Sequence, residues 1–277
     1  MKKKIFAALG FVFVLVLIVL AMLPYILQLL GLHPQYAGDK FNLAGRKVLL
    51  ICTSHDMLGD TGKKTGVYAS EMTAPYYEFL DNGMAVDIAS IRGGEIPVEP
   101  ISLKWPVKTP ADDRYLKDPN FQNKVKYSLI IDDVDFTKYD AVYIAGGWGA
   151  AYDLGTSETL GKKITQANSK NIVLGSVCHG ALGFIQAQKT NGESLLKNKK
   201  VTAVTNKQVR ELGIEITPLH PETEVKKAGA VFESKTAFQD VFANHVVIDG
   251  NLVTGQNQNA GKEVAQKMMK IIQGKPR

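Results

Sequence analysis

The sequence is poor in cysteine and in the patterns built from it. Two cysteines in 277 residues cannot frame a disulfide-stapled fold, and neither they nor the five histidines recur at ligand spacing, which excludes a zinc-ribbon or similar site. No metal and no organic cofactor is expected, and any chemistry from cysteine is thiol chemistry. Internal repeats and low-complexity tracts are lacking too. With hydrophobic residues at 45%, charged residues at 22%, and Gly and Pro at ordinary frequency, a disordered or collagen-like chain is excluded. A basic cluster is also missing: the net charge of +6 comes from lysines spread among acidic residues, so nucleic acid is not an expected partner. What remains is a chain with ample material for a core, of a length that suits one large α/β domain with an appendage.

The appendage is at the N-terminus. After Lys2, Lys3 and Lys4, an uncharged run extends from Ile5 to Leu23 and continues past Pro24 through Tyr25, Ile26, Leu27, Leu29 and Leu30. Roughly 19 to 26 residues at about 1.5 Å each give a helix of about 28 to 39 Å, enough to cross a hydrocarbon core. A cleaved signal peptide would show small residues at a cleavage site, whereas Leu27-Gln-Leu-Leu-Gly-Leu-His33 follows here, so an uncleaved anchor is expected. Three lysines precede the run and only Lys40, Arg46 and Lys47 follow it closely, which predicts a cytoplasmic N-terminus and an extracytoplasmic domain. The chain therefore divides into a cytoplasmic basic tail (1–4), a single-pass transmembrane anchor (5–31), a linker (32–45) and a folded domain (46–277).

Within the domain, Lys47-Val-Leu-Leu-Ile-Cys-Thr53 reads as a buried parallel strand, followed by a helix over about Ala69 to Leu80 and a second strand from Met84 to Ala89. The segment from Gly93 to about Asp133, rich in proline, reads as an insertion over one end of the sheet. Alternation resumes with the strand Ala141–Ala145, a helical stretch ending near Ala167, the strand Ile172–Gly175 and a helix from about His179. Short strands are expected at Lys200–Thr205, Ala230–Phe232, Val246–Ile248 and Leu252–Thr254. An amphipathic helix, Ala260–Ile272, buries Val264 and Met268. Strands alternating with helices predict a mostly parallel sheet covered on both faces, in one domain.

Two strand ends carry the chemistry. Gly175-Ser-Val-Cys178-His-Gly180-Ala passes from strand to helix, a turn that projects a nucleophile above the carboxyl edge of the sheet, where a helix N-terminus favours a thiolate. A buried, inert thiol is the plainer alternative for Cys178. Gly146-Gly147-Trp148-Gly149 follows another strand and so lies at the same edge, with backbone N–H groups placed to hold an oxyanion. It has neither the Lys-Ser/Thr of a P-loop nor dinucleotide spacing. Leu219-His220-Pro-Glu222 resembles the His-x-Glu of an amidotransferase triad, but Pro221 and Glu222 at a helix start explain it. Cys52 reads as packed, and His33, His55 and His245 as solvated or capping.

Cys178-His179-Gly180, Gly146-Gly147-x-Gly149 and Glu71, with Gly66-Val-Tyr-Ala-Ser-Glu71-Met-Thr-Ala-Pro75, Val86-Asp-Ile-Ala-Ser90 and Leu252-Val-Thr-Gly255-Gln-Asn257, resemble the ThiJ/PfpI superfamily, whose fold is that of the class I glutamine amidotransferases. The resemblance runs from Arg46 to the C-terminus and points to the branch of glutathione-independent glyoxalases and heat-shock chaperones. It implies a flavodoxin-like three-layer sandwich with Cys178 as nucleophile, Glu71 against the thiol, His179 as base, and Gly146, Gly147 and His179 around the oxyanion. By residue chemistry alone Glu71 would be an exposed first-turn acid. The pattern also calls for an acidic residue after the next strand. Gln208 and Val209 stand there instead, and Glu211, two or three residues later, is the candidate third acid. Trp148 replaces a frequent histidine. The implied activity converts methylglyoxal or a similar dicarbonyl to a 2-hydroxy acid without glutathione. A stress-response chaperone or redox sensor and a cysteine amidase or peptidase are the alternatives. Expected partners are a small dicarbonyl, the membrane through the N-terminal helix, and a second copy in a homodimer.

Overall fold

The computed structural model describes residues 2–275; Met1 of the expected tail and Pro276 and Arg277 of the domain lie outside the described residues. The first helix, α1, spans Lys2–Leu29, and its stretch Leu9–Leu29 has a mean hydropathy of 2.8 with none of it covered by the rest of the chain. Gly31, at φ +111°, ends it.

Seven strands form one sheet in the order β3-β2-β1-β4-β5-β9-β8: β1 is Lys47–Cys52, β2 Ala85–Ser90, β3 Leu129–Ile130, β4 Ala141–Ile144, β5 Val173–Val177, β8 Val246–Asp249 and β9 Leu252–Gly255. Every pairing is parallel except the terminal β8–β9 hairpin. The central strands are apolar on both faces because both are covered. Val48, Leu50 and Cys52 of β1 join Tyr143, Met72, Phe79, Val264 and Met268 on the side of α2 (Ala69–Asp81) and α9 (Gly261–Gln273). Leu49 and Ile51 join Val142, Ile144, Leu174, Leu160 and Ile164 on the side of α6 (Glu158–Ser169), which follows the single turn α5 (Ala150–Asp153). This is the expected three-layer sandwich.

Three segments differ from expectation. The region after β2 contains α3 (Pro110–Tyr115) and α4 (Pro119–Lys126) and adds β3 to the sheet. The helix starts were written in the sequence: Thr109 and Asp112 form a capping box before Pro110, and the Asp118 side chain accepts from the N–H groups of Asn120 and Phe121 beside Pro119. The segment Cys178–Phe184 is a 3-10 helix rather than an α-helix, held close to β4 because a Cβ on Gly180 would lie 2.3 Å from the Ile144 carbonyl oxygen. The strands expected near 200 and 231 shorten to β6 (Lys200–Val201) and β7 (Val231–Phe232), a separate two-stranded ribbon flanking the short helices α7 (Asn206–Glu211) and α8 (Pro221–Lys227).

The linker is tied to the domain at several points, although most of its residues are exposed. The Asp39 carbonyl accepts from Gln266 on α9 at 3.0 Å, the Phe41 N–H donates to Asn82 Oδ1 at 2.7 Å, and Leu32 and Leu43 are buried. At the amino edge of the sheet Arg46 pairs with Asp140 at 2.7 Å and donates to the Lys275 carbonyl at 2.9 Å, tying the two ends of the domain together.

Candidate active site

Cys178 follows β5 with φ +58°, a left-handed conformation that costs a non-glycine residue roughly 1–3 kcal/mol and persists only where packing enforces it. The consequence is a sulfur turned away from the strand, 3.4 Å from His179 Nδ1, with the backbone N–H groups of His179 and Gly147 facing it. The site is nearly dry: Cys178 is 5% exposed and Glu71 1%.

Glu71 reaches this point from the first turn of α2. Pro75, four residues on, has no N–H to give the Glu71 carbonyl, and Tyr143 Oη from β4 donates to that oxygen instead, at 3.1 Å. A helix-breaking residue thus ties the Glu71 backbone to the centre of the sheet. The α2 start is fixed by Ser102 Oγ, which accepts from the Ala69 N–H at 3.0 Å. Burial pushes Glu71 up to about 8, opposed by the Cys178 thiol and the Gly146 N–H that face its carboxyl group. Burial and the Glu71 charge push the thiol up as well, while the His179 and Gly147 N–H groups favour the thiolate. Two acids in one dry site cannot both ionise, so the pair holds a single negative charge well above the usual carboxylate range. With Glu71 protonated, repulsion vanishes and the carboxyl becomes a donor to sulfur, which is the state in which the thiolate can form.

The glycines fit tightly. A Cβ on Gly146 would lie 2.6 Å from Glu71 Oε2, and one on Gly147, at φ +98°, 2.3 Å from the Tyr68 nitrogen. The N–H of Gly147 faces the sulfur, and that of Gly146 faces the Glu71 carboxyl.

Burial pulls His179 down to about 3, so it is neutral, and its Nε2 is buried without a hydrogen-bond partner. Glu211 is not beside it. Its Oε2 accepts from the Asp240 N–H at 2.7 Å and its other oxygen lies 3.5 Å from Lys207, because α7 points its last turn at the Asp240 loop. The third-acid expectation is corrected accordingly. Gln208 instead joins an amide network, accepting from Asn257 Nδ2 at 3.3 Å and donating to Gln258 at 3.4 Å. Glu222 lies in the first turn of α8, as its helix-start reading requires, and accepts from the Asn206 N–H at 2.7 Å. Cys52 is fully buried, with its thiol pushed far up. Sequence reasoning missed Tyr68 and His33: the His33 ring, expected to be solvated or capping, lies 6.5 Å from that of Tyr68, which precedes α2. A groove of about 1000 Å³ lined by Ser54, Thr65, Arg92, Val98 and Tyr115 opens over the ends of β1 and β2, and neither Cys178 nor Glu71 lines it.

The pattern of the DJ-1/PfpI family matches residues 62–271. The chain belongs to the DJ-1/PfpI family. It is 29% identical over 239 residues to the glutathione-independent glyoxalase hsp3101 of Schizosaccharomyces pombe, covering 82% of this chain and 96% of that one. Among solved structures it superimposes on the Rapid Encystment Protein 24 KDa of Francisella tularensis with TM-score 0.76 at 32% identity, covering 82% of this chain and 99% of that one. Glyoxalase III of Candida albicans gives TM-score 0.75 at 27% identity, over 82% and 97% of the two chains. The resemblance seen in the sequence to the glyoxalase branch is thus borne out.

Proposed function

We propose that this protein is a membrane-anchored, cysteine-dependent glyoxalase that converts methylglyoxal or a similar dicarbonyl to a 2-hydroxy acid without glutathione. The observation that carries the reading is the buried Glu71 carboxyl set against Cys178 at its left-handed turn, in a chain whose relatives include named glutathione-independent glyoxalases. The thiolate adds to the aldehyde carbon, and a proton is supplied to the resulting oxygen, giving a hemithioacetal. One proton then leaves the former aldehyde carbon and another is delivered to the neighbouring carbon through an enediol, with Glu71 or the neutral His179 as carrier. The product is a thioester, and water releases the 2-hydroxy acid and restores the thiol, so no external oxidant or reductant enters. The N–H groups of Gly147 and His179, which face the sulfur, support a reading in which they donate to the oxyanion.

The anchor rests on α1, whose 21-residue stretch Leu9–Leu29 covers about 32 Å at 1.5 Å per residue. The three leading lysines support a cytoplasmic N-terminus. Protease protection of the domain in sealed right-side-out vesicles would contradict that orientation.

The deciding experiment is methylglyoxal consumption with lactate detection in glutathione-free buffer, for the parent chain and its Cys178→Ala and Glu71→Gln variants. Both variants are expected to lose at least about a hundredfold in kcat/KM; an unchanged rate in Cys178→Ala would sink the mechanism. One observation favours a second reading, a chaperone or redox sensor of the same fold: among the described residues no acidic side chain bonds to His179 Nε2. Suppression of client aggregation that survives Cys178→Ala, in a chain inactive on dicarbonyls, would select it.

A further inference from the structure

The turn that joins α1 to the domain is built into the edge of the sheet that carries Cys178. The His33 N–H donates to Asn259 Oδ1 at 2.6 Å, and its ring faces the carbonyls of Val107 and Gln258. A Cβ on Gly31 would lie 2.3 Å from the Phe242 carbonyl oxygen, so glycine lets the chain pass against that loop. Each partner belongs to one edge. Gln258 and Asn259 follow β9, and Phe242 precedes β8, whose first residue pairs with the last of β9. Tyr68, beside His33, precedes the helix of Glu71.

Three residues lie between the end of α1 at Leu29 and His33, so the four steps span at most about 14 Å of extended chain. If α1 spans a bilayer, the headgroup layer must therefore begin beside this edge. The surface there has the composition such a layer selects. Phe238 is 68% exposed with its ring stacked on that of Phe242 at 4.8 Å, Trp105 is 55% exposed two residues before Val107, and Ile101, 53% exposed, adjoins the α2 start. Lys104 and Lys235 are exposed among them. Aromatic side chains with lysines at one level are the pattern of a membrane interface, where the rings sit among headgroups and the ammonium groups meet anionic lipid.

We infer that the edge of the domain carrying Cys178 is docked on the bilayer that α1 enters, with Trp105 and Phe238 seated at headgroup level around the juxtamembrane turn. The inference rests on reading α1 as an anchor, and its test separates the two. The full chain carrying Trp148→Phe keeps Trp105 as its sole tryptophan. It is reconstituted in vesicles of phosphatidylcholine and phosphatidylglycerol, with or without bromine on the phosphatidylcholine acyl chains. The expected result is flotation with the vesicles and Trp105 emission lowered at least about twofold by the brominated lipid. Flotation with unquenched Trp105 would overturn the docking while leaving the anchor intact. Failure to float would remove the anchor and the docking with it. Should Trp148→Phe fail to fold, the difference in quenching between the parent and Trp105→Phe isolates the same side chain. Phe238→Trp in a chain carrying Trp105→Phe reports on the other flank, and quenching is expected there too.

Discussion

Cys52 and Cys178 stand at the ends of two parallel strands, at the same edge and in the same apolar layer, yet their sulfurs meet different surroundings. Cys52 is still in register with Ser90 of β2 and fully buried, and burial with the charges of Asp153 and Glu71 pushes its thiol far up. Cys178 has left the ladder. Its φ of +58° turns the sulfur toward the N–H groups of Gly147 and His179 and the carboxyl of Glu71. Burial is nearly equal at the two positions, so on the proposed mechanism the difference in thiol reactivity comes from one backbone dihedral and the donors it meets.

The largest effect should be seen in alkylation of the native protein. Iodoacetamide is expected to modify Cys178 at least about a hundredfold faster than Cys52, read by peptide mapping against time. Comparable rates at both thiols would break the contrast. Glu71→Gln sharpens it through pH. The folded Glu71 holds its proton to about 8 whereas the unfolded one releases it near 4.5, so the folded state binds more protons in that window. Stability from this group is present below about 4.5 and is lost as pH rises toward 8. The parent should lose on the order of 3–5 kcal/mol relative to Glu71→Gln across the window, an upper bound because the thiol shares the charge. Parallel stability curves from denaturant titrations at several pH values would refute it. The smallest effect concerns the turn itself. Cys178→Gly relieves the left-handed strain that Cys178→Ala retains, so the glycine variant should be the more stable by about 1 kcal/mol although both are inactive. An alanine variant as stable as the glycine one would mean that the turn stores no strain.

Much of this was legible in the sequence because its signals are local. The apolar runs of β1, β4 and β5, the glycines after β4 and the Cys178 turn each announce themselves within a few residues. Glu71 was legible only through family resemblance. A first-turn glutamate is ordinarily solvated, and the backbone of this one is tied to the sheet by Tyr143, 72 residues away. Glu211 misled for a similar reason: spacing placed it near the third-acid position, but its partner is the Asp240 N–H, set by how α7 meets a distant loop. Nothing local showed that His33 would be held by Asn259, 226 residues on. The 3-10 geometry after Cys178 comes from the fit of Gly180 and Gly183 against Ile144, a tertiary constraint with no periodicity of its own.

The ties of the linker have a mechanical meaning. The chain is gripped at the edge that carries Cys178 through His33 and again at the opposite pole through Arg46, with the contacts of Asp39 to Gln266 and Phe41 to Asn82 arranged in series between them. A pull arriving through α1 loads these contacts along the flank of α9 before it reaches β1. If α1 anchors the chain in a membrane, as proposed, lateral drag on it is borne in shear by the side of the domain, and the sheet beneath the Cys178 thiol is shielded from being unzipped strand by strand.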